Sequence, residues 1–108
     1  MNEILYRLCR HCVSIMGGWY PFPSTCLSEV CGKSLYQTRK ELKKLKEQGY
    51  VVSDRYCEIG EDRNYLVSGY TITDKAKETE EYKQAFEEEE KYAENVSVLI
   101  LRSGNNAE

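Results

Sequence analysis

The 108-residue sequence has no long apolar run and contains one histidine and two prolines. Its apolar segments fall short of the roughly 20 residues that a membrane-spanning helix needs. Glu3, Arg7 and Arg10 interrupt the first of these segments, so we expect no secretory signal peptide. Together with the short length, these absences predict one small cytoplasmic protein whose thiols are reduced.

The sequence also lacks a catalytic constellation. The only histidine, His11, points away from the apolar stripe of the first predicted helix, so we expect it to be solvated. The serines match no nucleophile motif, and the acidic run Glu87–Glu90 is interpreted as a solvated helix face. We therefore expect neither enzymatic activity nor a cofactor.

Two cysteine spacings, Cys9-x2-Cys12 and Cys26-x4-Cys31, invite comparison with zinc sites. Cys9, Cys12 and Cys31 lie on apolar helix stripes, however, and free cysteine is among the most frequently buried residues. Packing in the core, without a metal, is therefore the preferred interpretation. Cys26 lies off the apolar face and is expected to be the most exposed thiol. The alternative that the chain is a thiol- or metal-responsive regulator, with Cys26 and Cys31 as the sensing residues, stays open.

Charge is segregated along the chain, although the net charge is only −3. Residues 32–48 carry six basic and two acidic side chains, a net charge of +4. Residues 74–95 carry nine acidic side chains against four lysines, a net charge of −5. Because local fields decide which surface meets a polyanion, the small net charge does not exclude a nucleic-acid partner.

The first segment has helical periodicity. It is expected to end at Gly17-Gly18, and residues 20–23 are expected to form an extended loop because each proline disfavours helix at the residue before it. The apolar positions of this helix are Leu5, Leu8, Cys9, Cys12, Val13 and Met16.

A second, short helix is expected after this loop. Ser24 or Thr25 can cap its start and Gly32 can end it. Its inward-facing residues are expected to be Leu27, Val30 and Cys31.

A third helix is predicted from Ser34, since Ser34 and Gln37 fit a capping box. It is expected to end at Gln48-Gly49, with Gly49 as a left-handed cap. Its buried stripe is expected to consist of Leu35, Thr38, Leu42 and Leu45.

After Gly49 the pattern becomes strand-like. Residues 50–57 and 65–73 are rich in Tyr, Val, Ile and Thr, and the polar residues 58–64 separate them, which predicts a β-hairpin. Asp74 is expected to cap a final helix that runs to about Asn95. The state of the apolar segment Val96–Leu101 is left undecided.

The segments 27–34, 38–51 and 69–77 together resemble the core of winged helix-turn-helix regulators of bacteria and their phages. The shared pattern is a short helix, a glycine, a recognition helix, a Leu-x-x-x-Gly entry into the wing, and a strand that leads to a further helix. The resemblance implies a mostly helical α+β fold, with a three-helix core and a β-hairpin wing. It also implies sequence-specific binding of double-stranded DNA and a role in transcription regulation.

In this interpretation the helix at about 34–48 reads the major groove, and the wing at about 55–65 contacts the DNA backbone or minor groove. Gln37 is suited to pair with adenine, whereas the lysines are suited to phosphates. The acidic residues near the wing tip would repel a phosphate backbone and weigh against this interpretation. The candidate DNA-binding residues are Lys33, Ser34, Tyr36, Gln37, Lys40, Lys43, Lys44, Arg55, Arg63 and Asn64.

The predicted final helix gives two alternatives. Tyr82, Phe86 and Tyr92 can form the seam of a homodimer, or they can pack on the chain's own core beside the first helix. We expect residues 1–77 to form the winged helix-turn-helix domain, and residues 78–108 to form an acidic helix and tail for dimerisation or docking. The rival function is a winged-helix module that binds a protein partner and not DNA, through the acidic helix or the wing.

Overall fold

The computed structural model describes residues 1–15, 18 and 20–106, with side chains described as far as Val96. It has an α+β fold, with helices and a two-stranded antiparallel sheet. The elements in chain order are α1 (Glu3–Cys12), α2 (Ser24–Cys31), α3 (Leu35–Glu47), β1 (Val51–Ile59), β2 (Asn64–Ile72), a 3-10 helix (Asp74–Glu78) and α4 (Glu80–Asn106). No helix in the described part of the chain is long and apolar enough to cross a membrane.

Helix α1 begins where Asn2 Oδ1 accepts a hydrogen bond from the backbone N–H of Leu5, 3.0 Å away. It buries Ile4, Leu5, Leu8 and Cys9. The helix ends at Cys12, earlier than the predicted stop at Gly17-Gly18. Met16 and Gly17 lie outside the described residues.

The turn between α2 and α3 follows the sequence signals closely. Gly32 adopts a left-handed conformation with φ of 64°, which favours glycine, and ends α2. Ser34 Oγ then accepts a hydrogen bond from the Gln37 N–H at 3.1 Å and caps α3. At the other end of α3, Gly49 is also left-handed, with φ of 84°.

Two expectations for α2 are wrong. The helix begins at Ser24 itself with Pro23 as the preceding cap residue, and no side chain caps it. Val30 is 46% exposed, whereas Leu27 is the one buried residue of this short helix. Cys31 is half-buried and packs against the core.

The predicted hairpin is confirmed, with a shorter loop than expected and with strand bounds that differ by one or two residues from the predicted ones. Val51 pairs with Ile72 at its base and Ile59 pairs with Asn64 at its far end. The loop is therefore four residues long, 60–63, and its closing hydrogen bond runs from the Gly60 N–H to the Arg63 carbonyl at 3.0 Å.

A single residue of the loop between α1 and α2 adds to this sheet. Phe22 exchanges two backbone hydrogen bonds of 2.9 Å with Tyr70 of β2. The close approach requires Gly69, because a Cβ there would lie 2.7 Å from the backbone of Pro21. This pairing ties the hairpin to the helical body.

The predicted final helix is divided into two parts. Asp74–Glu78 is a 3-10 helix, and α4 begins at Glu80, where Thr79 Oγ1 accepts a hydrogen bond from the Tyr82 N–H at 3.2 Å. The backbone of α4 continues through Val96–Leu101 to Asn106. The side chains of that segment beyond Val96 lie outside the described residues.

Helix α4 packs against α1 through the buried Ala85 and the half-buried Tyr82, and two glutamates add polar contacts. The Glu89 carboxylate is buried, accepts a hydrogen bond from the Ile15 N–H at 2.8 Å, and pairs with Arg10. Glu88 accepts a hydrogen bond from the Tyr6 hydroxyl. The interpretation of this acidic run as a solvated face is therefore wrong for Glu88 and Glu89.

Candidate nucleic-acid interface

Helix α3 has one buried side and one exposed side. Thr38, Leu42 and Leu45 are buried in the core, as the periodicity predicts, and Leu35 is half-buried. The opposite side lies in solvent and brings together five of the predicted site residues: Tyr36, Gln37, Lys40, Lys43 and Lys44. An α-helix that exposes a polar, cationic side has the dimensions and charge to enter a major groove.

The exposed side of α3 forms a surface groove, which we call the α3 groove; it is lined by Leu35, Tyr36, Arg39, Lys40 and Lys43. Tyr36 is 77% exposed. Arg39 is the residue that sequence reasoning missed, although its spacing from Tyr36 and Lys43 along a helix could have indicated it. The guanidinium Nε of Arg39 lies 3.5 Å from Ser24 Oγ, so it also links α3 to α2.

Lys33 differs from the other predicted lysines because it has an acidic partner. Its Nζ lies 3.1 Å from Glu41 Oε2 and 3.3 Å from Oε1. It precedes α3, where Ser28 Oγ donates a hydrogen bond of 2.6 Å to its carbonyl. Lys33 therefore stabilises the turn between α2 and α3, and its charge is largely compensated.

Polar contacts hold the hairpin base against the end of α3. Thr73 donates a hydrogen bond of 2.5 Å to the Gly49 carbonyl, and Lys75 donates one of 2.6 Å to the Gln48 carbonyl. The Lys75 ammonium also lies 4.7 Å from the centre of the Tyr50 ring. A cation at a helix C-terminus is favourable, so these contacts fix the position of the hairpin relative to α3.

The predicted wing residues are all exposed. Arg55 lies in the middle of β1, Arg63 lies in the tip loop and Asn64 begins β2. Glu61 and Asp62 precede Arg63 in the same loop, so the field at the tip is negative. The basic character of this face comes from α3 and not from the hairpin tip.

The cysteines are distributed differently from the prediction. Cys57 is the exposed thiol, whereas Cys26 is half-buried. Burial raises the pKa of the Cys9 thiol to about 12 and also raises the pKa of Cys31, which disfavours the reactive thiolate at both. No group of three or more metal-ligating side chains occurs in the described part of the chain.

His11 is not solvated as expected. Its ring stacks on Phe22 with 4.1 Å between the ring centres, and its Nε2 lies 2.8 Å from the Tyr20 carbonyl, to which it donates. The imidazole therefore packs against the loop that carries the single-residue pairing with β2. This is a structural role at the junction of α1 and the sheet.

The three aromatic residues of α4 differ in their exposure. Tyr82 packs partly against the chain's own core, near α1. Phe86 is 45% exposed and Tyr92 is 43% exposed.

No protein-family model, curated protein or solved structure matches this chain.

Proposed function

We propose that this chain is a sequence-specific DNA-binding transcription regulator of winged-helix architecture. The observation that carries the proposal is the exposed side of α3. It combines an aromatic residue, an amide and three lysines on a helix whose other side is fixed in the core. The proposal assigns the chain no catalytic activity.

In the proposed complex, α3 enters the major groove with its N-terminal turn nearest the bases. Gln37 hydrogen-bonds adenine and Tyr36 contacts a thymine methyl group or a phosphate. Lys40, Lys43 and Lys44 bind phosphates, which positions the helix without specifying sequence. Ser34 keeps its role as the helix cap.

The arrangement of the elements is compatible with a winged helix. Helices α2 and α3 are joined by a tight turn at Gly32, α1 packs on both, and the hairpin follows α3. In this proposal Arg55, Arg63 and Asn64 contact the DNA backbone or minor groove.

A second candidate function is a winged-helix module that binds a protein partner and not DNA. The hairpin tip favours it, since Glu61 and Asp62 would repel a phosphate backbone and Ile59 is 83% exposed.

We also propose that the chain is a homodimer, with residues 78–108 as the dimerisation segment and 1–77 as the DNA-binding domain. Two-fold proteins match two-fold operators, and Phe86 and Tyr92 offer exposed aromatic surface on α4.

Fluorescence anisotropy with labelled duplex DNA tests the main proposal. Affinity is expected to fall steeply with salt, because counterions are released from each phosphate contacted. The double variant Lys40→Glu with Lys43→Glu is expected to lose binding, and Lys40→Ala with Lys43→Ala should lower the salt slope by about 2.

The matched control is Lys83→Glu with Lys91→Glu, two exposed lysines of α4. It makes the same change in net charge and should retain most of the affinity. Absence of binding at low salt by the wild-type chain, or unchanged binding by the α3 variant, would reject the DNA proposal in favour of the protein-binding module.

A further inference from the structure

The two most exposed large apolar side chains among the described residues are Ile59, at 83%, and Tyr36, at 77%. Exposure of a large apolar side chain to water is unfavourable, and covering it with a partner surface lowers the free energy. The two residues lie on different elements, one on the hairpin and one on α3.

Ile59 lies within an acidic, apolar surface at the end of the hairpin. Cys57 and Leu66 are directly paired, so their side chains project from the same sheet face as Ile59, and Leu66 is 67% exposed. The tip loop next to Ile59 carries two exposed acids, Glu61 and Asp62, against one exposed base, Arg63. The side chain of Glu58 projects from the opposite face of the sheet. We define the tip patch as Ile59, Leu66, Glu61 and Asp62.

Tyr36 lies within the opposite kind of surface. It lines the α3 groove with the half-buried Leu35 and three cationic side chains. The groove thus offers an apolar centre with a basic rim, whereas the tip patch offers an apolar centre with an acidic rim.

The tip patch and the α3 groove of one chain are not bonded to each other. In the described part of the chain no hydrogen bond or ion pair joins a residue of the tip patch to a residue of the α3 groove. Both surfaces are therefore free to meet a partner.

We propose that the tip patch of one copy of this chain docks in the α3 groove of a second copy. The chain itself supplies both complementary surfaces, and both the sign of the charge and the apolar centres match. Because the two contacting surfaces differ, the contact is heterologous, and each copy keeps one free tip and one free groove. Such a contact builds open-ended chains where its rotation does not close a ring, and it differs from a two-fold contact through α4.

This contact covers the α3 side that the proposed function assigns to DNA. Duplex DNA and a second copy then compete for the α3 groove. Protein that is self-associated through this contact would therefore be unable to bind DNA. The competition rests on the proposed function, but the contact between copies does not.

Sedimentation velocity of the full chain without DNA tests the contact. At about 0.05 M salt, the average mass is expected to rise continuously with concentration. At about 0.5 M salt it should fall to a constant value, because the charged rims are screened. A mass that stays constant with concentration at low salt would overturn the proposal.

Two charge-reversal variants identify the surfaces. Glu61→Lys with Asp62→Lys alters only the tip patch, and Lys40→Glu with Lys43→Glu alters only the groove. Each variant alone should weaken the open-ended association about tenfold or more. An equimolar mixture should regain it, since the two unchanged surfaces match and the two reversed surfaces also match.

The control is Glu78→Lys with Glu87→Lys, which makes the same change in net charge as the tip variant at exposed positions outside the tip patch. It should associate at low salt as the wild-type chain does. Growth in mass that persists in both surface variants, or a mixture that fails to regain it, would reject the tip-to-groove contact.

DNA binding is measured separately, by anisotropy with duplex DNA at protein concentrations below those at which the mass grows. If the wild-type chain binds duplex DNA but does not self-associate, only the tip-to-groove contact is rejected. Self-association that unlabelled duplex DNA cannot reduce would instead count against the proposed function and leave the contact in place.

Discussion

The missing side chain of Gly69 allows two segments that are far apart in the sequence to lie in contact. The Pro21–Phe22 backbone occupies the place where a Cβ would stand, so Phe22 can pair with Tyr70. His11 stacks on the same Phe22 ring and extends this contact to α1. A single glycine therefore permits one of the contacts that attach the hairpin to the helices, beside those of Thr73 and Lys75 with the end of α3.

We expect Gly69→Ala to destabilise the protein by about 1–3 kcal/mol, because the added methyl group would meet backbone and not a flexible side chain. In a domain of this size each kcal/mol lowers the Tm by about 4–8 °C. Thermal unfolding followed by circular dichroism measures the loss, and hydrogen exchange should show faster exchange of the Phe22 and Tyr70 amides. Ser68→Ala, at an exposed neighbouring position, is the control and should leave both unchanged.

Charged contacts hold α4 on α1. The hydrogen bond from the Ile15 N–H, followed by those from Arg10, holds the pKa of Glu89 below its usual range even though burial opposes this. The hydroxyl of Tyr6 and the amide of Gln84 likewise lower the pKa of Glu88, and the same hydrogen bond to Glu88 raises the pKa of Tyr6. The two helices are therefore joined most strongly when both glutamates are ionised.

This arrangement predicts acid sensitivity. A carboxyl whose pKa is lowered on folding adds stability that is present above its ordinary pKa of about 4.3 and is lost as the pH falls through its lower folded value. The free energy of unfolding, measured with urea, should therefore decline below about pH 5. Glu89→Gln should flatten that decline and cost about 1.5–3 kcal/mol at pH 7, because it removes charge-assisted hydrogen bonds.

Glu87→Gln is the control for this experiment, since Glu87 is exposed on the same helix. Its pH dependence should match that of the wild-type chain. An equal effect of the two substitutions would show that Glu89 contributes nothing specific to the α1–α4 contact.

The whole molecule is elongated, with extents of 53 × 42 × 26 Å. Helix α4, at 27 residues, has a length of about 40 Å, whereas the ten-residue α1 has a length of about 15 Å. The shorter helix can cover only part of the longer one. Among the side chains described, as far as Val96, Glu89 is the last fully buried one of α4, and Tyr92, about one turn later, is exposed.

We therefore expect the proposed homodimer to form along α4. Multi-angle light scattering at high salt, where the tip-to-groove contact is screened, should give the mass of a dimer. Phe86→Ser with Tyr92→Ser should reduce it to that of a monomer, because the substitutions remove the exposed apolar surface. Lys83→Ser with Glu87→Ser, two exposed positions on the same helix, should leave the dimer intact. A monomer mass for the wild-type chain at high concentration would contradict the prediction.

Local features of the structure could be read from the amino-acid sequence. The capping of α3 by Ser34, the left-handed glycines Gly32 and Gly49, and the hairpin all follow from side-chain chemistry within a few neighbouring residues. The exposed residues of α3 followed from helical periodicity, because the buried stripe fixes the opposite side.

Contacts between distant residues could not be read in this way. The burial of Glu89, the packing of His11 on Phe22 and the exposure of Cys57 in place of Cys26 depend on which surfaces the fold brings together. Sequence periodicity reports only which side of an element faces inward. The tertiary structure alone paired Lys33 with Glu41 and decided how far Tyr36, Ile59 and Leu66 are exposed, because both depend on distances across the folded chain.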